Sequence, residues 1–227
     1  MSRGKPSAIY VLKILQEYSD EQHILSALEI IHKLYALYSL CIDRRAVYGA
    51  IELLKDAGYD ISSYEDNNKG YYLRERDFEP SEIALLTDAV YEFPFISNSH
   101  TRELVDKLQR TQSCHRRKNY KHLRVQRTGG KTENHEVFLN IEKLDEAIEI
   151  KCMVSFTYLK YNLFKELVPR RITRYIVSPH AMVFFNDHYY LACTMADEES
   201  ASLYRIDRMR DIELCEEDAD QRKPDFE

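Results

Sequence analysis

Apolar positions in the first third of the chain recur at helical spacing. Ile9, Tyr10, Leu12, Ile14 and Leu15 predict an amphipathic helix over 7–18. A second helix starts at Ser26-Ala27-Leu28-Glu29, where the Ser hydroxyl and the Glu carboxylate can satisfy free backbone amides. Its expected buried stripe is Leu28, Ile31, Leu34 and Leu37 or Tyr38. Asp43 is the expected N-cap of a third helix over 44–57, with Val47, Ile51 and Leu54 turned inward and Gly58 as its stop. Two extended runs, 61–64 and 70–73, flank a polar loop and predict a two-stranded ribbon. Three helices closed by a ribbon is the plan of a winged helix-turn-helix.

The helical pattern returns after Pro80 with Ile83, Leu85, Leu86, Ala89 and Val90. It breaks at Phe93-Pro94-Phe95 and resumes with Leu104, Val105 and Leu108, which predicts a helical linker over 77–113. Asn140 is the expected cap of a further helix carrying Ile141, Leu144, Ala147 and Ile148. Beyond it the period shortens to that of strands: 153–158, 167–178 with an interruption at Pro169, 181–185, 188–194, and 202–206 with 212–215. Asn186-Asp187, between aromatic runs, marks a tight hairpin, because both residues tolerate a left-handed backbone. The alternation from Leu203 to Arg208 sets Arg205 and Asp207 on one face. The expected fold is α+β, with a winged helix-turn-helix at 1–76, the linker at 77–113, a five-stranded β-barrel with a leading helix at 114–218 and a polar tail at 219–227. Such a barrel would leave no strand edge exposed.

The triplet Tyr189-Tyr190-Leu191 is preceded by Tyr175-Ile176-Val177-Ser178-Pro179-His180 and followed by Tyr204-Arg205-Ile206-Asp207-Arg208. In this order the three pieces resemble the WYL domain of bacterial transcriptional regulators, with Tyr189 standing where the family has Trp. The resemblance covers the second half of the chain. It implies an Sm-like or SH3-like barrel that senses a ligand of nucleotide or nucleic-acid kind. Ile42-Asp43-Arg44-Arg45-Ala46-Val47-Tyr48, together with Gly70-Tyr71-Tyr72-Leu73, resembles the DNA-binding domain that accompanies WYL domains.

Composition narrows the classes. At 227 residues and 44% hydrophobic content the chain can bury two modest cores. Five scattered cysteines without a Cys-x-x-Cys pair support neither a disulfide framework nor a zinc site, which fits a reducing cytoplasm. Apolar runs are short and interrupted by charge, so secretion and membrane spanning are not expected. The net charge of −6 argues against indiscriminate coating of nucleic acid but leaves room for local basic patches.

Candidate chemistry falls in both halves. A helix entering a DNA groove needs cations at its first turn, where free amides already favour phosphate. Arg44 and Arg45 meet that need, Tyr48 can reach a phosphate or a thymine methyl, and Lys33 and Lys69 offer further phosphate contacts. Ala46, Gly49 and Ala50 leave the base-reading face poorly furnished. In the second half, Arg170, Arg171, Arg174, Tyr175, His180, Tyr189, Arg205 and Arg208 combine guanidinium groups for phosphate with rings for bases. The basic run over 110–127 reads either as a phosphate contact or as a solvated loop. Gly129-Gly130-Lys131-Thr132 lacks the spacing of a nucleotide-binding loop and reads as a turn. No nucleophile–base pair or metal-ligand spacing stands out, so no catalysis and no cofactor is expected. The expected partners are duplex DNA, a nucleotide or nucleic-acid effector, and a second copy of the chain. The alternative is an accessory protein that binds RNA or single strands without reading a duplex.

Overall fold

The computed structural model describes residues 4–117, 131–195 and 200–220. The described residues group into two compact units, 4–89 with 103–117, and 90–102 with 131–220. The expected linker 77–113 is thus divided between the units, and residues 114–117 group with the first. The expectations placed on 118–130, including the rest of the basic run and Gly129-Gly130, lie outside the described residues.

In the first unit, α1 (Gly4–Tyr18), α2 (Ala27–Tyr38) and α3 (Arg44–Asp56) share one core. Ala8, Val11, Ile14 and Leu15 supply the inner face of α1. The Ser26 box forms as expected, with Glu29 N donating to Ser26 Oγ at 3.3 Å and Ser26 N to Glu29 Oε2 at 2.8 Å. The expected stripe of α2 is corrected: Ala27, Ile30 and Leu34 are buried, whereas Leu28 and Leu37 are 45% and 49% exposed. This helix has apolar residues on two faces, and only packing against its neighbours selects between them. On α3, Val47, Ala50, Ile51 and Leu54 are buried, Asp43 Oδ1 accepts from Ala46 N at 2.8 Å, and Gly58 follows at φ +96°. Ala50 therefore belongs to the core and not to the outward face.

The expected two-stranded ribbon is also corrected. Only Ile61 and Leu73 bridge within it, while Tyr71 bridges to Leu25. Residues Tyr64–Asn67 form a single turn of helix, α4, capped by Asp66 on Ser63 N at 2.6 Å. Asn67 then ties the chain back, its Oδ1 accepting from Lys69 N and Gly70 N and its Nδ2 donating to Gly70 O. Local Ser, Asp and Asn hydrogen bonds have shortened the cross-strand pairing, which keeps Ser62 N on Tyr72 O at 3.0 Å and Arg74 N on Asp60 O at 2.9 Å. Gly70 sits where the bridge to Leu25 is tightest, because a Cβ there would lie 2.2 Å from Leu25 O. Gly70→Ala is therefore expected to destabilise this unit by about 1–3 kcal/mol, read as a lower urea midpoint at unchanged slope.

Helices α5 (Pro80–Glu92) and α6 (Asn98–Arg110) flank the break at Phe93-Pro94-Phe95 and contribute residues to both units.

The second unit is helix α7 (Val137–Ile150) on a curled antiparallel sheet of β1 (Cys152–Tyr161), β2 (Leu167–Pro169), β3 (Tyr175–Phe185), β4 (His188–Met195), β5 (Ala201–Arg205) and β6 (Met209–Asp218). The path is β2-β1-β3-β4-β5, and β6 pairs with β1. Asn140 is not the cap expected of it. It is buried inside α7, and its amide donates to Met209 O at 3.0 Å, a partner that lies far along the chain. The expected second strand divides into β2 and β3, and β6 runs well past 212–215.

The closed barrel is corrected to a half-barrel, since β5 pairs only with β4 and β6 only with β1 among the described residues. Between β5 and β6 the chain makes a 3-10 turn, Ile206–Arg208, and Tyr158 Oη accepts from Arg205 N at 3.2 Å across the gap. Carbonyls of β6 are occupied by side chains instead of a strand. Asn134 and Asn140 donate to Met209 O, and Lys143 donates to Ile212 O at 2.6 Å. The core joins Leu144 and Ala147 of α7 to rings of the sheet, with Phe156 and Tyr175 stacked at 5.4 Å and Tyr158 edge-on to Tyr204 at 4.9 Å.

Candidate functional site

The hairpin between β3 and β4 turns on Asn186 and Asp187, both left-handed at φ 46° and 60°. That turn places His188 at the head of β4, and the β4–β5 register sets Tyr190 opposite Arg205. Strand β5 ends at Arg205, so the expected alternation does not continue as strand to Asp207, yet the two side chains still meet. Arg205 Nε donates to Asp207 Oδ1 at 3.0 Å and Nη2 to Oδ2 at 2.7 Å, while Nη2 also reaches His188 Nδ1 at 3.3 Å. Burial works against the Arg205 charge, but the fork with Asp207 prevails and its pKa lies above the usual value. Burial first, and the Arg205 cation next, push His188 below the usual histidine range, against the opposing pull of Asp207 and Asp187.

Arg208 differs from Arg205. Its guanidinium lies 5.6 Å from the Tyr161 ring, and its buried Nε has no acceptor among the described residues. Asp207, the nearest carboxylate in sequence, is already engaged by Arg205. A cation with a buried donor left open among the described residues, beside a ring, is suited to an incoming anion.

The eight residues expected to bind a ligand do not converge. Arg174 Nη2 donates to Ser155 O and Oγ at 3.1 and 3.0 Å and to Asp211 O, and pairs with Glu213 at 3.3 Å, clamping β1 to β6. Arg171 donates to Thr173 O and Arg174 O and lies 3.4 Å over the ring of Tyr175, which is buried in the aromatic core. Arg170 is exposed, His180 bonds Thr194 Oγ1 at 2.9 Å, and Tyr189 packs edge-on to Phe95 at 5.0 Å. Two groups form instead: Arg171, Arg174 and Tyr175, committed to one another and to the sheet, and Arg205 with Arg208, which share a neighbourhood with Tyr158, Tyr161 and His188. Sequence reasoning passed over those three. Their signal was position, since Tyr158 and Tyr161 lie late in the first strand and His188 follows the hairpin turn.

In the first unit, Arg44, Arg45 and Tyr48 are exposed on the opening turns of α3, as a phosphate-facing helix requires, and the Tyr48 ring lies 6.4 Å from Tyr71. Lys69 is exposed beyond α4. Lys33 does not accompany them, because its ammonium lies 4.0 Å over the Tyr18 ring. Further along α3 the outward positions include Glu52, Leu53 and Asp56. Of the basic run, Arg116 pairs with Glu21 at 3.3 Å and Arg117 with Glu17, so both are committed within the unit. Among the described residues no cluster of three or more His, Cys, Asp or Glu could hold a metal ion, and no helix is long and apolar enough to cross a membrane.

The span from α7 through β6 contains this cluster, the aromatic core and the triplet Tyr189-Tyr190-Leu191. Residues 140–214 match the WYL domain. Within it the triplet follows His188 in β4: Tyr189 faces Phe95 and Phe184, Tyr190 stands opposite Arg205, and Leu191 is wholly buried. Comparison with curated proteins gives no match. Among solved structures, proteasome accessory factor B/C (PafBC) of Arthrobacter aurescens superposes at 16% identity with a TM-score of 0.33, covering 98% of this chain and 35% of that one. This chain spans about a third of that structure's length, and the superposition is too loose to carry an argument.

Proposed function

We propose that the protein is a transcription regulator whose first unit reads duplex DNA as a winged helix-turn-helix and whose WYL domain receives an anionic effector, a nucleotide or single-stranded nucleic acid. The observation that carries the reading is Arg208, whose buried Nε has no hydrogen-bond partner among the described residues and whose guanidinium lies beside Tyr161, inside the segment that matches the WYL domain. Arg208 takes the effector's phosphate, Tyr161 offers a stacking face, and neutral His188 with Tyr158 lines the approach. Arg44 and Arg45 hold α3 on the DNA backbone, aided by the free amides of its first turn. Two copies of the chain would meet two half-sites. The reading includes no catalytic step.

A second reading has its own support, since Glu52 and Asp56 face outward on α3 and Ala50 is turned into the core. In it the protein binds RNA or single strands and the first unit contacts another protein. A salt titration of duplex binding separates the two. For a regulator, Arg44→Ala with Arg45→Ala weakens duplex binding and lowers the log–log salt slope by about 1.8, the share of two phosphate contacts. Duplex binding indifferent to both substitutions favours the accessory protein.

A further inference from the structure

Strand β1 outlasts the body of the sheet. Residues 154–156 pair with β3, but Leu159, Lys160 and Tyr161 pair with Pro169, Val168 and Leu167 of β2. The end of β1 and all of β2 thus make a short ribbon closed by the turn 162–166. Asn162 fixes that turn: its Oδ1 accepts from Phe164 N and Glu166 N at 2.9 Å each, and its Nδ2 donates to Glu166 Oε2 at 2.9 Å. Lys165 completes it in the left-handed region at φ 62°.

This ordered turn holds Leu163 and Phe164 at 99% and 84% exposure, with Tyr161 at 56%. Apolar side chains held outward by a hydrogen-bonded turn, and not by loose chain, are placed for contact. Their surroundings are cationic. Lys160, Lys165 and Arg170 are exposed, and none of them has a carboxylate partner among the described residues. Glu166, the acid of the turn, is engaged by Asn162. Arg208 approaches the same ribbon through the Tyr161 ring.

Charge and shape together select the occupant. Single-stranded nucleic acid presents phosphates for the ammonium groups and free base faces for Tyr161 and Phe164. A duplex keeps its base faces stacked, and an acidic peptide has few flat faces to offer. We propose that the β1–β2 ribbon is a subsite for single-stranded nucleic acid, with Tyr161 and Phe164 stacking on bases and Lys160 and Lys165 meeting phosphates. It rests on the effector reading above and extends that site outward from Arg208.

The test uses the full chain and a fluorescently labelled oligothymidine of about 12 nucleotides, within the range of single-strand site sizes, followed by anisotropy over a salt series. Leu163→Ser with Phe164→Ser is expected to weaken binding about fivefold to tenfold at unchanged salt slope. Lys160→Gln with Lys165→Gln is expected to lower the slope by about 1.4. Leu85→Ser, an exposed apolar position on α5, should bind as the parent does. All four substituted ribbon positions lie at the surface, and circular dichroism melts check that the fold is intact. Parent-like binding by both ribbon variants, with binding lost in Arg208→Ala, overturns the ribbon subsite and leaves the effector site standing. Failure of the parent to bind oligothymidine overturns the ribbon subsite and leaves only the nucleotide form of the effector reading. Loss of co-sedimentation with phosphatidylserine vesicles in the ribbon variants, with oligothymidine binding intact, overturns the subsite in favour of a membrane contact.

Discussion

Asp20→Ala is expected to cost the first unit about 3–4 kcal/mol. Asp20 lies just beyond α1 with only 2% of its surface exposed. Its Oδ1 accepts from Gln22 N at 3.0 Å, His23 N at 2.9 Å and His23 Nδ1 at 2.8 Å, and its Oδ2 accepts from Ser113 Oγ at 2.6 Å. The same knot holds Cys114 N on Glu17 O, stacks His23 on His115 at 3.7 Å, and fixes Arg76 on Ser19 O at 2.7 Å and Thr111 O at 3.2 Å. Alanine would leave the buried Ser113 hydroxyl, and the part-buried donors of Gln22 and His23, without this acceptor. Asparagine keeps one acceptor oxygen, so Asp20→Asn should cost about half as much.

The pH dependence follows from the same contacts. Burial alone would raise the Asp20 carboxyl, but the hydrogen bonds from Ser113, His23 and the Gln22 amide outweigh it and hold the group at about 2, below its ordinary 3.8. A carboxyl depressed in the folded state stabilises fully above its unfolded value and loses that contribution as pH falls through its folded value. The gap in urea midpoint between the parent and Asp20→Asn should therefore be constant above pH 4 and close as pH drops toward 2. A gap that persists to pH 2, or an Asp20→Ala midpoint equal to the parent's, contradicts this account.

Arg208→Ala is expected to weaken oligothymidine binding by about tenfold or more while leaving the unfolding midpoint in place. The two halves of that expectation have one cause. Nε of Arg208 has no acceptor among the described residues, so deleting the side chain leaves no partner of that atom unsatisfied. Arg205→Ala is the contrasting case. It would strand the buried carboxylate of Asp207, and any loss of binding would come mixed with a loss of stability. Reduced binding that tracks the melting temperature in Arg208→Ala would mean that this residue supports the sheet and does not meet the effector.

Features encoded by adjacent residues were legible in the sequence. The Ser26 box, the Asp43 cap, the stop at Gly58 and the Asn186-Asp187 turn each depend on a few neighbouring side chains and formed where expected. Features decided by distant partners were not legible. Asn140 has the chemistry of a cap, but its amide serves Met209 on the far strand, and that assignment appears only once β6 is in place. Leu28 and Ile30 are equally apolar on paper, and only the neighbours of α2 decide which is buried. The same limit governed the ligand site. Eight cationic and aromatic residues crowd the sequence, but the turns of the half-barrel send Arg174 to β6, Tyr175 into the core and Tyr189 against Phe95, and leave Arg208 beside Tyr161.

The coupling between the two proposed activities is tested by titrating a labelled duplex, selected by the protein from a random-sequence pool, with and without saturating oligothymidine. The account predicts that oligothymidine moves the duplex midpoint by about fivefold or more, a typical coupling between linked sites, and that Arg208→Ala abolishes the shift while still binding duplex. A duplex midpoint that stays the same in the parent protein at saturating oligothymidine contradicts it.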